Sequence, residues 1–179
     1  MLVRITDAWT EVLDRRQRSN TGPYPPQVQA MLGEMVAAAV LMQSNINFEG
    51  ALILQVMGDG PVKLAVVEVQ SDLQLRATAT LSGSVAPQAS LADLVNPQGQ
   101  ARCVITLDPQ DRRDGQQPYQ GVVPLLDEQG VAMGSVAEAL QFYMRQSEQL
   151  ETTLVLASNE HMSAGLLIQL SLIHISEPT

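Results

Sequence analysis

The sequence has few residues that could bind metals or form cross-links. Cys103 is the one cysteine, and His161 and His174 are the two histidines. A single cysteine cannot form a disulfide within the chain, and it cannot supply the cysteine cluster of a structural zinc site. The histidines lie far apart, with no acidic residue at ligand spacing. The sequence therefore predicts no metal site, and it is typical of a reducing compartment, with the cytoplasm as the predicted location.

Long apolar runs are also missing. No segment approaches the ~20 apolar residues that cross a bilayer. Residues 1–7 are not followed by the apolar segment that a signal peptide requires. The net charge of −9 disfavours nucleic acids and anionic membranes as partners, because their phosphate groups would be repelled. We predict neither membrane nor nucleic-acid binding.

Aromatic side chains make up only 3% of the sequence, whereas apolar residues make up 45%. The core must therefore be built from aliphatic side chains and the eight methionines. A chain of 179 residues is long enough for one domain with a substantial core.

Two helices are predicted in the first quarter of the chain. Thr6 and Asp7 are suited to cap the first helix, which ends at the Asn-Thr-Gly-Pro sequence of residues 20–23. Pro25 and Pro26 precede the second helix, which is predicted to run to about residue 43. Its apolar residues recur at spacings of three and four. Its methionines, Met31, Met35 and Met42, are interpreted as core residues rather than as an adaptable binding surface.

Strands dominate the middle of the chain. Apolar runs at 51–57 and 62–70 flank Gly58-Asp59-Gly60-Pro61, which predicts a hairpin turn with positive φ angles. Residues 73–81 alternate between apolar and polar, which predicts a strand with one solvated face. The residues predicted to face the core are Leu73, Leu75, Ala77, Ala79 and Leu81. The residues predicted to face solvent or a shallow groove are Arg76, Thr78 and Thr80.

The second half of the chain continues with short elements. Ser90 with Asp93, and Ser135 with Glu138, are capping-box patterns that open two helices. Strands are predicted at 102–107, 120–126, 153–157 and 166–170, and a long polar loop begins at residue 108. Helices and strands in this order predict an α+β fold of antiparallel sheets packed with a few helices.

No group of residues suggests catalysis. A nucleophilic Cys103 would need a nearby base, and the two histidines lie far along the chain. Cys103 is therefore interpreted as a buried structural residue. We assign no catalytic, cofactor-binding or metal-ligating residue, and the chain is not predicted to be an enzyme. Residue chemistry alone leaves the function open.

Three short segments, in this order and at this spacing, add a further indication: Gly58-Asp59-Gly60-Pro61, Tyr119-Gln120-Gly121-Val122-Val123 and residues 143–150. Together with Tyr24-Pro25 and Phe48-Glu49-Gly50, they resemble the redox-regulated holdase chaperones of the heat-shock protein 33 family. The resemblance covers about residues 3–170. The sequence departs from the family pattern at Asn47, where the family usually has lysine, and at Glu151, where it usually has proline.

The resemblance implies that residues 1–170 are the chaperone core domain, the substrate-binding part of the family. A strand expected before Val3-Arg4 is missing, residues 171–179 are an atypical tail interpreted as non-native, and the family's zinc redox-switch module is absent from these residues. In the family, oxidation of the zinc cysteines unfolds a linker and exposes apolar surface that holds unfolding proteins. The resemblance therefore implies an ATP-independent holdase acting under oxidative or heat stress, a homodimer that binds unfolded clients, here with no cofactor.

Two other functions remain open. The chain could be an inactive scaffold fragment that only dimerises. It could also be a small-ligand-binding or enzymatic α+β domain, since fold does not fix function. A deep polar pocket around Arg76, Tyr119 or Glu148 would favour this second reading. Because the second helix is interpreted as core, an exposed binding patch is expected on the sheets.

Overall fold

The computed structural model describes residues 1–170, apart from the side chain of Glu148, so the predicted tail at 171–179 lies outside the described residues. The elements are, in chain order, β1 (Leu2–Ile5), α1 (Asp7–Gln17), α2 (Pro26–Asn45), β2 (Gly50–Met57), β3 (Val62–Gln70), β4 (Leu75–Leu81), α3 (Leu91–Val95), β5 (Arg102–Pro109), β6 (Tyr119–Pro124), α4 (Val136–Glu148), β7 (Thr152–Ser158) and β8 (Ser163–Gln169).

The strands form two sheets, and every pairing is antiparallel. One sheet has three strands in the order β1-β8-β7, and the other has five in the order β4-β3-β2-β5-β6. The predicted α+β class is confirmed. The first strand was not predicted, because its four residues are too few to show a period of two.

Helix α2 lies between the two sheets and contacts strands of both. Its residues from Val36 to Gln43 are buried without interruption, because the helix has no solvent side over this length. The three methionines Met31, Met35 and Met42 are at most 5% exposed, which confirms their assignment to the core. Small residues allow the close approach: a Cβ at Gly165 in β8 would overlap the side chain of Leu41.

The predicted hairpin at Gly58-Asp59-Gly60-Pro61 is confirmed, but the reason given for its glycines is wrong. Neither Asp59 nor Gly60 has a positive φ. The glycines are required by crowding, since a Cβ at Gly58 would overlap the carbonyl oxygen of Val62, and one at Gly60 would overlap that of Leu94. The Asp59 carboxylate accepts hydrogen bonds from the backbone N–H groups of residues 98 and 100, at 3.2 and 2.8 Å. The turn is thereby tied to the segment that enters β5.

The alternation predicted for residues 73–81 is correct from Leu75 onward and wrong at Leu73. Ala79 is buried, Leu75 is half-buried, and Arg76 is exposed. Leu73 instead lies in the turn between β3 and β4, with φ of 66° and 49% of its surface exposed. The chain reverses at this turn, which requires a residue in the left-handed conformation. The turn therefore sets the position of Leu73, and the apolar–polar alternation does not.

The helix caps agree with the sequence to different degrees. Around α3, Ser90 and Asp93 form the complete reciprocal capping box. At α4, Ser135 Oγ accepts from the N–H of Glu138 at 3.1 Å, but the Glu138 carboxylate accepts from the N–H of Gly134 instead of Ser135. The Thr6 side chain forms no capping hydrogen bond at α1. The second predicted box is therefore only half formed.

Candidate functional site

The side of the five-stranded sheet that faces away from α2 carries exposed apolar side chains. Alternation along β2 separates the two sides, since Leu54 and Val56 are buried whereas Met57 is 46% exposed. We call the side away from α2 the outer face. Its apolar residues are Ile53, Met57, Leu64, Val66, Val104 and Val122.

Strand register sets the neighbours on the outer face. Val122 lies opposite Val104, which in turn lies opposite Gln55, with Val66 on the next strand. Met57 lies opposite Leu64 in the adjacent row. Val122 is 56% exposed. These rows place apolar side chains from β2, β3, β5 and β6 next to one another, although they are distant in sequence.

Polar side chains border the apolar rows of the outer face. Gln120 Nε2 donates to Thr106 Oγ1 at 3.2 Å, and Arg76 Nε donates to Glu68 Oε2 at 2.8 Å. Polar side chains also lie within the rows, since Gln55 separates Val104 from Val66 and Arg102 lies opposite Met57. Exposed apolar side chains interspersed with and bordered by polar ones are typical of surfaces that bind other polypeptides.

A second exposed apolar surface lies on the three-stranded sheet. Leu2, Leu166 and Val155 lie side by side across its three strands. Leu2 is 73% exposed, Val155 is 56% exposed, and Ile168 is 48% exposed. We call this surface, on the side of the sheet away from α2, the second face.

The residues considered for metal binding and nucleophilic chemistry do not come together. Cys103 is buried on the side of the sheet facing the core, where burial raises the pKa of its thiol to about 12. Its interpretation as a structural cysteine is thereby supported. His161 lies in an exposed turn, 3.4 Å from Glu160, and His174 lies outside the described residues. Within residues 1–170, no group of three or more His, Cys, Asp or Glu side chains could hold a metal ion. The residues present do not fit a zinc site.

A deep polar pocket around Arg76, Tyr119 or Glu148 was considered as a sign of ligand binding. Arg76 belongs to β4 and Tyr119 to β6, which are opposite edges of the five-stranded sheet. The Tyr119 hydroxyl lies 3.3 Å from that of Tyr143 on α4. The side chain of Glu148 lies outside the described residues. Arg76 lines two cavities of about 240 and 250 Å³, and Tyr119 lines neither of them.

One half-buried charged residue, Glu34, was not predicted from the sequence. Glu34 lines a cavity of about 250 Å³ between α2, α3 and the start of α4, and burial raises the pKa of its carboxyl group. The signal was present, because Glu34 is the one charged residue in the helix sequence of α2.

These features define an α+β domain of two antiparallel sheets around a buried helix, with apolar side chains exposed on both sheets. Among the helices of residues 1–170, none is long and apolar enough to cross a membrane. The chain belongs to the Hsp33 protein family, whose family model matches residues 1–170.

Several relatives carry the name 33 kDa chaperonin. The chain is 44% identical over 168 residues to the one from Chromobacterium violaceum, covering 94% of this chain and 51% of the relative. It is 42% identical over 169 residues to the one from Methylobacillus flagellatus, covering 94% and 51%. The chain thus spans about half the length of the curated relatives it matches. The crystal structure of the 33 kDa chaperonin from Thermotoga maritima matches with a TM-score of 0.70 at 19% identity, over 94% of this chain and 55% of that one, which shows the fold.

Proposed function

We propose that residues 1–170 are the client-binding core of a holdase chaperone that acts without ATP. Two findings support this proposal: the chain belongs to the Hsp33 family, and its relatives are named 33 kDa chaperonin. The observation that carries it is the outer face of the five-stranded sheet, where Met57 and Val122 are about half exposed. Apolar side chains of a partly unfolded protein would be removed from water on this face, at ~25 cal/mol per Å².

The proposed mechanism involves binding only. The outer face is held in place by the core beneath it, where Leu52, Leu54 and Ile105 are buried. A client segment therefore meets a surface that is already formed, and it alone loses conformational freedom. The net charge of −9 keeps a chain with a bound apolar client apart from its neighbours. No nucleotide, cofactor or enzymatic step is needed.

We propose that residues 1–170 supply no ligand to a zinc switch. Cys103 is buried and neutral, and His161 lies in an exposed turn. We therefore propose that this chain, acting in the cytoplasm during heat or oxidative stress, holds clients under reducing and oxidising conditions alike. The redox response of the family would require residues other than these.

A homodimer is proposed to form through the second face. Leu2, Leu166 and Val155 form a continuous apolar row across three strands, and a second copy would cover it. Pairing at the second face leaves the outer face of each copy open to clients. An inactive scaffold would share this dimer but would not bind clients.

Light scattering of a heat-denatured client enzyme, without nucleotide, tests the proposal. We expect the chain to suppress aggregation and Val122→Lys to weaken the suppression, because lysine on the outer face cannot be covered by apolar client groups. Val131→Lys is the matched control, because Val131 is 59% exposed but lies outside both sheets. No suppression by the unaltered chain, or equal loss in both variants, would contradict the proposal.

A further inference from the structure

The two sheets have four edge strands, and two of them are closed by a side chain. In β4, the N–H of Ala79 donates to Tyr24 Oη at 3.0 Å. In β7, the N–H of Leu154 donates to Gln141 Oε1 at 2.8 Å. Each side chain occupies the N–H in the middle of an edge strand, where another strand would otherwise pair. Such devices prevent edge-to-edge association.

The edge of β6 is different. Leu125 N–H donates to the carbonyl oxygen of Ala101 at 3.1 Å, so the backbone N–H of Leu125 points toward the strand side of β5, while the Ala101 N–H donates to Asn96 Oδ1. Because the bonding direction alternates along an antiparallel strand, Gly121 and Val123 bond to β5. Gln120 and Val122 then direct their N–H and C=O groups away from the sheet.

No side chain among the described residues bonds these outward backbone groups of β6. Gln120 and Val122 are both exposed. The strand is also fixed from behind, since Gly121 lies so close to the Tyr143 ring of α4 that a Cβ would overlap it. The backbone N–H and C=O groups of Gln120 and Val122 are therefore held in an extended conformation and are open to pairing with another strand.

We propose that the β6 edge binds an extended segment of a non-native polypeptide as an additional, sixth strand. This inference rests on the proposed holdase function and specifies how the client is bound. Alternating donors and acceptors about 6.8 Å apart along a strand match the backbone of another extended chain. Backbone pairing is independent of side-chain identity, which suits a protein that must bind many sequences.

The position of β6 favours a client over other occupants. Val122 and Val104 begin the apolar row of the outer face at this edge, so alternate side chains of an added strand would continue that row. A second copy of this chain is assigned to the second face on the other sheet, and pairing there leaves the β6 edge open. The other open edge, β1, has only four residues, and the apolar row that begins there at Leu2 is assigned to the homodimer.

A capped hexapeptide of alternating valine and threonine is a suitable probe for the full chain. Its binding should slow hydrogen exchange at the amides of Gln120 and Val122 and leave the amides of Gly121 and Val123 unchanged. An analogue that is N-methylated at the residues facing β6 should bind at least about fivefold more weakly, because each methyl group removes one hydrogen bond.

Val122→Pro removes an outward N–H without removing a bond to β5, and Val122→Thr keeps that N–H with a side chain of similar shape. We expect the proline variant to bind the peptide about fivefold to tenfold more weakly than the threonine variant. If the proline variant does not fold, strand addition is tested by the weaker binding of the N-methylated peptide and by the hydrogen-exchange pattern at Gln120 and Val122.

The outcomes separate the two proposals. Suppression of client aggregation with no protection of the Gln120 and Val122 amides by the peptide would overturn strand addition and leave the holdase proposal intact. Specific protection of these amides without suppression would overturn the holdase proposal and support the edge site. Protection that rises with protein concentration in the absence of peptide would show that a second copy is the occupant, and it would overturn the client assignment.

Discussion

The phenol oxygen of Tyr24 lies 3.0 Å from the backbone nitrogen of Ala79 and accepts its hydrogen bond. This contact joins the segment before α2 to the edge strand β4, and both residues are buried. The guanidinium of Arg16 lies over the Tyr24 ring, 4.4 Å from its centroid, and its Nε donates to the carbonyl of Gly22. One aromatic residue therefore connects α1, the α1–α2 connection and the five-stranded sheet.

Tyr24→Phe is expected to lower the free energy of unfolding by ~1–3 kcal/mol, because the buried N–H of Ala79 is left without a partner. Urea unfolding measures this loss. Tyr119→Phe is the matched control, since the Tyr119 hydroxyl is exposed and makes only a long contact of 3.3 Å with Tyr143. If both variants lost the same free energy of unfolding, the hydrogen bond from Ala79 to Tyr24 would not stabilise the fold more than the exposed Tyr119 contact does.

The stability of the chain should fall as the pH rises above about 9. Burial raises the pKa of the Cys103 thiol from 9.0 to about 12, so the folded state keeps a proton that the unfolded state releases. The contribution is fully present below pH 9 and is lost progressively between pH 9 and about 12. Unfolding at a series of pH values should show a shallower decline in Cys103→Ala. Identical slopes in the two proteins would contradict the assigned burial.

The sequence located β2 and β3 almost to the residue, because both are long and end at a marked turn. It could not place Val122 beside Val104, since this neighbour relationship depends on which strands pair and in what register. The outer face is assembled from β2, β3, β5 and β6, and no local pattern reports it. The wrong prediction for Leu73 has a local cause instead, because the short turn between β3 and β4 interrupts the regular alternation.

Ser135→Ala is expected to destabilise the chain by ~0.5–2 kcal/mol, the usual cost of losing an N-cap side chain. Ser135 Oγ accepts the N–H of Glu138 in the first turn of α4. Thermal unfolding compares this variant with Ser147→Ala, which removes an exposed hydroxyl bonded to the Tyr143 carbonyl in the same helix. The control should change little. A neutral result for Ser135→Ala would mean that the half-formed box does not stabilise α4.

Glu34→Gln should stabilise the chain at neutral pH. Burial raises the pKa of the Glu34 carboxyl group above 4.5, and no described residue forms an ion pair or hydrogen bond with it. The folded state therefore binds the proton more tightly than the unfolded state, and this contribution is fully present below pH 4.5 and lost as the pH rises through the folded pKa. Because the side chain is partly solvated, the gain from glutamine at pH 7 should be no more than ~0.5 kcal/mol.

The Glu34 assignment is tested by the pH dependence of the difference in unfolding free energy between Glu34→Gln and the unaltered chain. Chemical unfolding of both proteins should give a stability difference at pH 7 that shrinks as the pH falls toward 4. Glu128→Gln serves as the control, since Glu128 is exposed and its substitution should give no comparable trend. A Glu34→Gln variant that is less stable than the parent at pH 7 would show that the carboxylate has a favourable partner, and the cavity beside α2 would then hold a group that stabilises negative charge.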